Sequence, residues 1–155
     1  STMKDVYAKL KELGLELPAV PPKGGVYSSS KRFGGNLVYI SGCGPVIDKP
    51  VVGRVGQTMT KEEAQIQSRN SMLNVLAVLE KEIGDLNKVK QVVKILVFVN
   101  SADDFYEQPF VANGGSQLLV DLFGEEAGAP TRSAVGMNVL PGNIPVETEA
   151  IFEVE

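Results

Sequence analysis

The segment Val146-Glu147-Thr148-Glu149-Ala150-Ile151-Phe152-Glu153-Val154 alternates between small or apolar side chains and mostly acidic ones. Successive side chains of a β-strand point to opposite faces of a sheet, so this pattern predicts a strand with one buried face. The buried side carries Val146, Thr148, Ala150, Phe152 and Val154. The other side carries Glu147, Glu149, Ile151 and Glu153. An acidic face is either solvated or meets a partner, and the pattern alone leaves both open.

An arginine opens the apolar strand that precedes this one, in Pro130-Thr131-Arg132-Ser133-Ala134. A guanidinium at a sheet edge can bind a planar carboxylate through two parallel hydrogen bonds. The alternative is a surface arginine paired with a nearby glutamate. These residues by themselves are compatible with either interpretation.

Further out along the chain, apolar spacing predicts two main helices, at residues 60–83 and 109–123, and a shorter helix at residues 2–13. Thr60 and Glu63 form a capping box, and Gly84 ends the longest helix. Besides the last strand, we predict strands at residues 26–33, 37–41, 92–99 and 133–139. The nearly continuous apolar run at 92–99 is typical of a central strand covered on both faces.

This order of elements, β-β-α-β-α-β-β behind an N-terminal helix, predicts an α+β fold. We expect a mixed sheet of about six strands with two main helices on one face plus the extra N-terminal helix. Residues 1–155 suit one domain, with 1–19 as an N-terminal helical extension and 20–155 as the core. Two helices are too few to cover both faces of such a sheet. We therefore expect a second subunit to cover the other face.

The composition narrows the possible functions. Histidine is absent, which excludes Ser-His-Asp and Cys-His catalysis and His-ligated metals. The single cysteine, Cys43, excludes an intrachain disulfide and fits a small buried residue better than a nucleophile. The net charge of −4 argues against a nucleic-acid partner. Without a signal peptide or an apolar run of about 20 residues, we expect a cytoplasmic protein that does not enter a membrane.

Several motifs in this order make the chain resemble the RidA/YjgF family, the reactive-intermediate deaminases that are also labelled endoribonuclease L-PSP. The motifs are Ile40-Ser41-Gly42-x-Gly44-Pro45, Asp104-Phe105, Val111-x-Asn113, Thr131-Arg132-Ser133-Ala134-Val135, Leu140-Pro141 and Val146-Glu147-x-Glu149-Ala150. The resemblance covers about residues 20–155. The N-terminal helix and Asn113-Gly114-Gly115-Ser116 indicate a longer branch of the family.

The resemblance implies a chorismate-mutase-like fold and a homotrimer with pockets between subunits. It implies that Arg132 grips the carboxylate of a 2-imino or 2-aminoacrylate-type acid. Glu147, rather than Glu149, matches the glutamate that holds or activates the hydrolytic water. The remaining matches to pocket positions are Tyr27, Ser41, Asn113 and Ala134, the last through its backbone. Many members carry a cysteine where this chain has Ala134 and an apolar residue where it has Thr148.

The implied activity is hydrolytic deamination of reactive enamine or imine acids to 2-oxo acids and ammonia. It needs neither a metal ion nor an organic cofactor, because an iminium carbon is already electrophilic and water attack requires positioning and one proton acceptor. One alternative is a non-catalytic trimer that binds a small carboxylate and acts as a regulator. The weakest alternative is the endoribonuclease of the family label, because the chain is acidic and lacks histidine.

Overall fold

The computed structural model describes residues 5–155, which fold around one five-stranded mixed sheet. The strands are β1 (Ser30–Phe33), β2 (Leu37–Cys43), β3 (Val89–Asn100), β4 (Thr131–Met137) and β5 (Val146–Val154). Their order across the sheet is β1-β2-β5-β3-β4, one strand fewer than the expected six. Only β3 and β4 pair in parallel, because a helix crosses over between them. The mixed α+β fold is thus confirmed.

Helices cover one face of this sheet. They are α1 (Val6–Glu12), α2 (Lys61–Ile83), α3 (Gln108–Phe123) and α4 (Glu125–Gly128), with short 3-10 turns at Leu86–Lys88 and Pro141–Asn143. The predicted cap of α2 is present: the Thr60 hydroxyl accepts a hydrogen bond from the Glu63 N–H, and Gly84 ends the helix with φ +87°. The first residues of the predicted N-terminal helix lie outside the described part of the chain.

The two main helices approach each other closely at the double glycine of α3. A Cβ on Gly114 would lie 1.9 Å from the Gln65 carbonyl oxygen, and one on Gly115 would lie 3.2 Å from the Ser68 carbonyl oxygen. The Gly115 N–H also donates to the Ser68 hydroxyl. Glycine lowers helix propensity, but here the two glycines allow α2 and α3 to pack backbone against backbone.

The last strand, β5, is central because it inserts between β2 and β3. Every second residue from Val146 to Val154 is buried, as its alternation predicts. The opposite face of the sheet has no helix over it within residues 5–155, and there Phe33, Tyr39 and Val135 are 43%, 42% and 38% exposed. Leu96 on β3 is only half-buried, so within residues 5–155 the strand is covered on one face, by the helices.

Helix length and polarity bear on the expectation about membranes. None of the helices within residues 5–155 combines the length and the apolar character that a bilayer-crossing segment requires.

Candidate functional site

Arg132 lies on the edge strand β4 and points toward the helices. It pairs in register with Ile95, which is fully buried under the helix layer. Its Nη1 donates to Asn113 Oδ1 at 2.8 Å and to Ser116 Oγ at 3.1 Å, both on α3. Within residues 5–155 no carboxylate lies within salt-bridge distance of the guanidinium. Neutral acceptors thus fix its orientation and leave its charge uncompensated.

The second predicted group, Glu147, is the second residue of β5 and points to the opposite face. It pairs with Phe98 of β3, and its half-buried carboxylate lies beside Gly42. A Cβ on Gly42 would be 2.7 Å from Glu147 Oε2, so the carboxylate occupies the space that a side chain would take. Burial, and then the charge of Glu149, raise the pKa of Glu147 above its usual range. A carboxylate with a raised pKa is a better proton acceptor.

Glu149 continues the acidic face and has a tyrosine partner. The Tyr39 hydroxyl on β2 donates to Glu149 Oε2 at 2.6 Å. This hydrogen bond, with burial and the carboxylate charge, raises the pKa of Tyr39, so the phenol stays protonated. The sequence interpretation missed Tyr39. The signal was available in β2, where Tyr39 and Ser41 alternate with the buried Val38 and Ile40.

Tyr27 and Ser41 line the same cavity as Glu147, with a volume of about 630 Å³. Ser41 Oγ donates to the Ser28 carbonyl oxygen at 2.6 Å, and the Tyr27 hydroxyl accepts from the Gly24 N–H at 2.9 Å. Both side chains therefore hold the loop before β1, and both remain beside the cavity. The structure groups these two predicted residues with Glu147.

The other predicted residues group with Arg132. Asn113 contacts the guanidinium directly, and the Ala134 side chain packs against the helix-side core two residues further along β4. Ser116 was missed, although it lies one helical turn after Asn113 on the same face of α3. The candidate residues therefore form two groups on opposite faces of one sheet, and a single protomer does not bring Arg132 and Glu147 together.

Cys43, between the two glycines, is a buried free thiol. Its Sγ lies 3.4 Å from the Ser41 carbonyl oxygen. Burial, and then the Glu147 charge, raise the pKa of the thiol to about 12. The expected small buried residue is confirmed, because a thiol that stays protonated is a poor nucleophile.

These features define an α+β domain with an anchored arginine on one side of its sheet and a half-buried glutamate on the other. The model of the family described as Endoribonuclease L-PSP matches residues 19–154. The chain therefore belongs to the endoribonuclease L-PSP family, the RidA/YjgF family that its motifs resemble.

Several known proteins are similar to this chain over nearly its whole length. Protein TCP17 of Trypanosoma cruzi is 41% identical over 150 residues, 96% of this chain and 93% of that protein. A 2-iminobutanoate/2-iminopropanoate deaminase of Dermatophagoides farinae is 29% identical over 146 residues, 91% of this chain and 95% of its own. The crystal structure of the protein Atu1372 from Agrobacterium tumefaciens has a TM-score of 0.89 and 36% identity, covering 99% of this chain and 95% of that one.

Proposed function

We propose that the protein is a hydrolytic deaminase of reactive enamine and imine acids of the 2-aminoacrylate type. The observation that carries the proposal is the pair of ionisable side chains described above, one on each face of the sheet. Arg132 offers an oriented, uncompensated positive charge, and Glu147 offers a half-buried carboxylate whose pKa is raised. The similarity to a mite deaminase at 29% identity supports this choice of reaction.

The reaction follows from these two groups. Arg132 binds the substrate carboxylate through charge-assisted hydrogen bonds, on the order of 1.5–3 kcal/mol each. An enamine first takes a proton from solvent at its β-carbon, which gives the iminium form. Water attacks the iminium carbon while Glu147 accepts a proton from that water. Glu147 then returns the proton to the nitrogen, the C–N bond breaks, and the hydroxyl proton leaves as the 2-oxo acid forms. The products are a 2-oxo acid and ammonia, and no step changes an oxidation state.

We further propose that the site lies between copies of the chain in a homotrimer. Because Arg132 and Glu147 face opposite sides of one sheet, a substrate that touches both must take one group from each of two protomers. The partly exposed apolar side chains Phe33, Tyr39 and Val135 support the assembly, since they line the sheet face that no helix covers within residues 5–155.

A complementation experiment tests this arrangement. Ammonia release is measured from freshly generated 2-aminoacrylate with Arg132→Ala, with Glu147→Gln, and with the two variants coexpressed in equal amounts. Each single variant should lose at least about 100-fold in rate. In the mixture, about a quarter of the boundaries between protomers would carry both intact groups, so activity should return to about that fraction of wild type.

The matched control coexpresses Arg132→Ala with the double variant Arg132→Ala/Glu147→Gln, in which no boundary regains an arginine. Restoration in the test mixture but not in the control supports a shared site. Inactive single variants without restoration would contradict sharing. Wild-type rates in both single variants would contradict both roles. Saturable binding of 2-oxobutyrate without turnover would favour the regulatory alternative, and RNA cleavage that co-purifies with the protein would favour the nuclease.

A further inference from the structure

A second cavity of about 520 Å³ lies at the end of β2, beside the one that holds Glu147. Its walls come from the extended segment after α1, from the loop after β2, from α2 and from the residues before β5. The apolar side chains that line it include those of Val20, Pro21, Val46, Ile47, Val78 and Ile144. The volume falls within the range of small-molecule sites.

The two cavities share a boundary. Gly24, Tyr27, Ser41 and Gly42 line both. The pairing of β2 with β5 shifts register between Ile40 and Cys43, so this boundary falls at an irregularity of the strand. Gly42 contributes no side chain to the boundary, and a ligand that touches Glu147 could extend past it.

The apolar wall is held in place by the backbone around it. A Cβ on Gly44 would lie 2.8 Å from Ile144 Cδ1, so the absence of a side chain there gives Ile144 its position in the cavity. The buried Asn74 amide donates to the carbonyl oxygens of Gly44 and Val46, at 2.9 and 3.0 Å. These bonds preform the cavity rather than leaving it to a mobile loop.

We propose that this second cavity binds the apolar side chain of the substrate, and that the preferred substrates are 2-imino acids with a long or branched apolar side chain. The inference rests on the proposed function, since the acid end must be bound at Arg132 and Glu147. A substrate whose side chain is a single methyl group would not reach the apolar wall of this cavity. Each additional buried methylene strengthens binding about fourfold.

Calorimetric titration with stable 2-oxo acids measures the preference without requiring turnover. The probes are pyruvate, 2-oxobutyrate and 4-methyl-2-oxopentanoate. In the wild-type protein we expect the affinity to rise along this series, by roughly 50-fold between the first and the last. In Val46→Trp, where the new ring fills the cavity from its exposed rim, pyruvate affinity should be retained and the rise along the series lost.

Val52→Trp is the matched control, because Val52 lies on the same loop, is 59% exposed and does not line the cavity. Val20→Trp fills the cavity from the segment after α1 and serves if Val46→Trp does not fold. Equal affinities of the three acids in the wild-type protein would overturn the inference alone. A preference for the longer acids that persists in both Val46→Trp and Val20→Trp would also overturn the inference. Failure of every acid to bind would overturn the inference together with the proposed function.

Discussion

The carboxylate of Glu147 lies against the backbone of Gly42, in the space that a side chain there would take. A Cβ added to Gly42 would be 2.7 Å from Glu147 Oε2. The glycine of the Ser-Gly motif and the glutamate of the last strand are therefore one structural unit. In chain order they are far apart, and the antiparallel pairing of β2 with β5 brings them together. The position of the proposed proton acceptor depends on a residue that contributes no functional group of its own.

Replacement of Gly42 by alanine should displace the Glu147 carboxylate without unfolding the protein. The clash is with the end of a flexible side chain, which can rotate away, so the unfolding free energy should change by less than about 1 kcal/mol. The proposed deaminase activity should fall by about 100-fold, because the proposed proton acceptor is misplaced by an ångström or more. Steady-state kinetics and urea denaturation measure the two quantities. Gly25→Ala is the control, since its Cβ would meet only ordinary contacts; equal kinetic losses in both variants would contradict the prediction.

Removal of the charge at Glu149 should lower the pKa of Glu147. Burial is the larger cause of the raised pKa and would remain, whereas the repulsion between the two carboxylates would disappear. With Glu149→Gln, Glu147 is ionised at lower pH, so the acid limb of the kcat/KM profile should move to lower pH. Carbon-13 NMR titration of Glu147 gives the same answer independently of turnover. Glu153→Gln, on the same face of β5, should leave the profile in place; an unmoved or upward-shifted acid limb in Glu149→Gln would refute the electrostatic coupling.

Loss of the Asn113 side chain should weaken substrate binding more than it slows chemistry. Its Oδ1 accepts the shorter of the two hydrogen bonds from Arg132 Nη1, and without it the guanidinium is held only by Ser116. We expect KM to rise about tenfold in Asn113→Ala, with a smaller rise in Ser116→Ala and little change in kcat. Gln117→Ala, on the same helix but bonded to Asp121, serves as control. A fall in kcat at unchanged KM would show that the two acceptors do not act through substrate anchoring.

Gly114→Ala should destabilise the protein, the reverse of its effect in an exposed helix. On propensity alone the change would add about 1 kcal/mol of stability. Here the new Cβ would lie 1.9 Å from the Gln65 carbonyl oxygen, a backbone atom, so α2 and α3 would have to move apart. We expect a loss of about 3 kcal/mol or more in urea denaturation. Gln117→Ala, at an exposed position of the same helix, should change stability by less than about 0.5 kcal/mol; similar losses in the two variants would contradict close packing as the cause.

Much of the fold could be predicted from local pattern. The alternation of Val146 to Val154 identifies the buried and exposed faces of β5 because strand periodicity is a property of the backbone itself. Helix α2 was predicted from residue 60 to its glycine stop for a similar reason, since Thr60 and Gly84 act on their own neighbours. Local signals could not show that β5 inserts between β2 and β3, because strand order is decided by long-range pairing.

The sequence names candidate site residues but does not predict how they are arranged in space. Arg132 and Glu147 stand out by residue type and strand position, yet which side of the sheet each faces depends on the register of β4 and β5 against β3. Tyr39 and Ser116 were missed for the same reason, since their partners Glu149 and Arg132 lie far away in the chain. The close helix packing at Gly114 could not be predicted from helix propensity, which contains no information about a neighbouring helix.

The burial of Cys43 makes its thiol a natural reporter of local opening at the end of β2. This is the one cysteine in the sequence, it is buried, and its thiol has a pKa of about 12. Alkylating reagents at neutral pH will therefore modify the protein mainly during the intervals in which the end of β2 separates from α2. Because Cys43 also lines the second cavity, a change in the rate of maleimide labelling as ligands are added can report occupation of that cavity without any engineered probe.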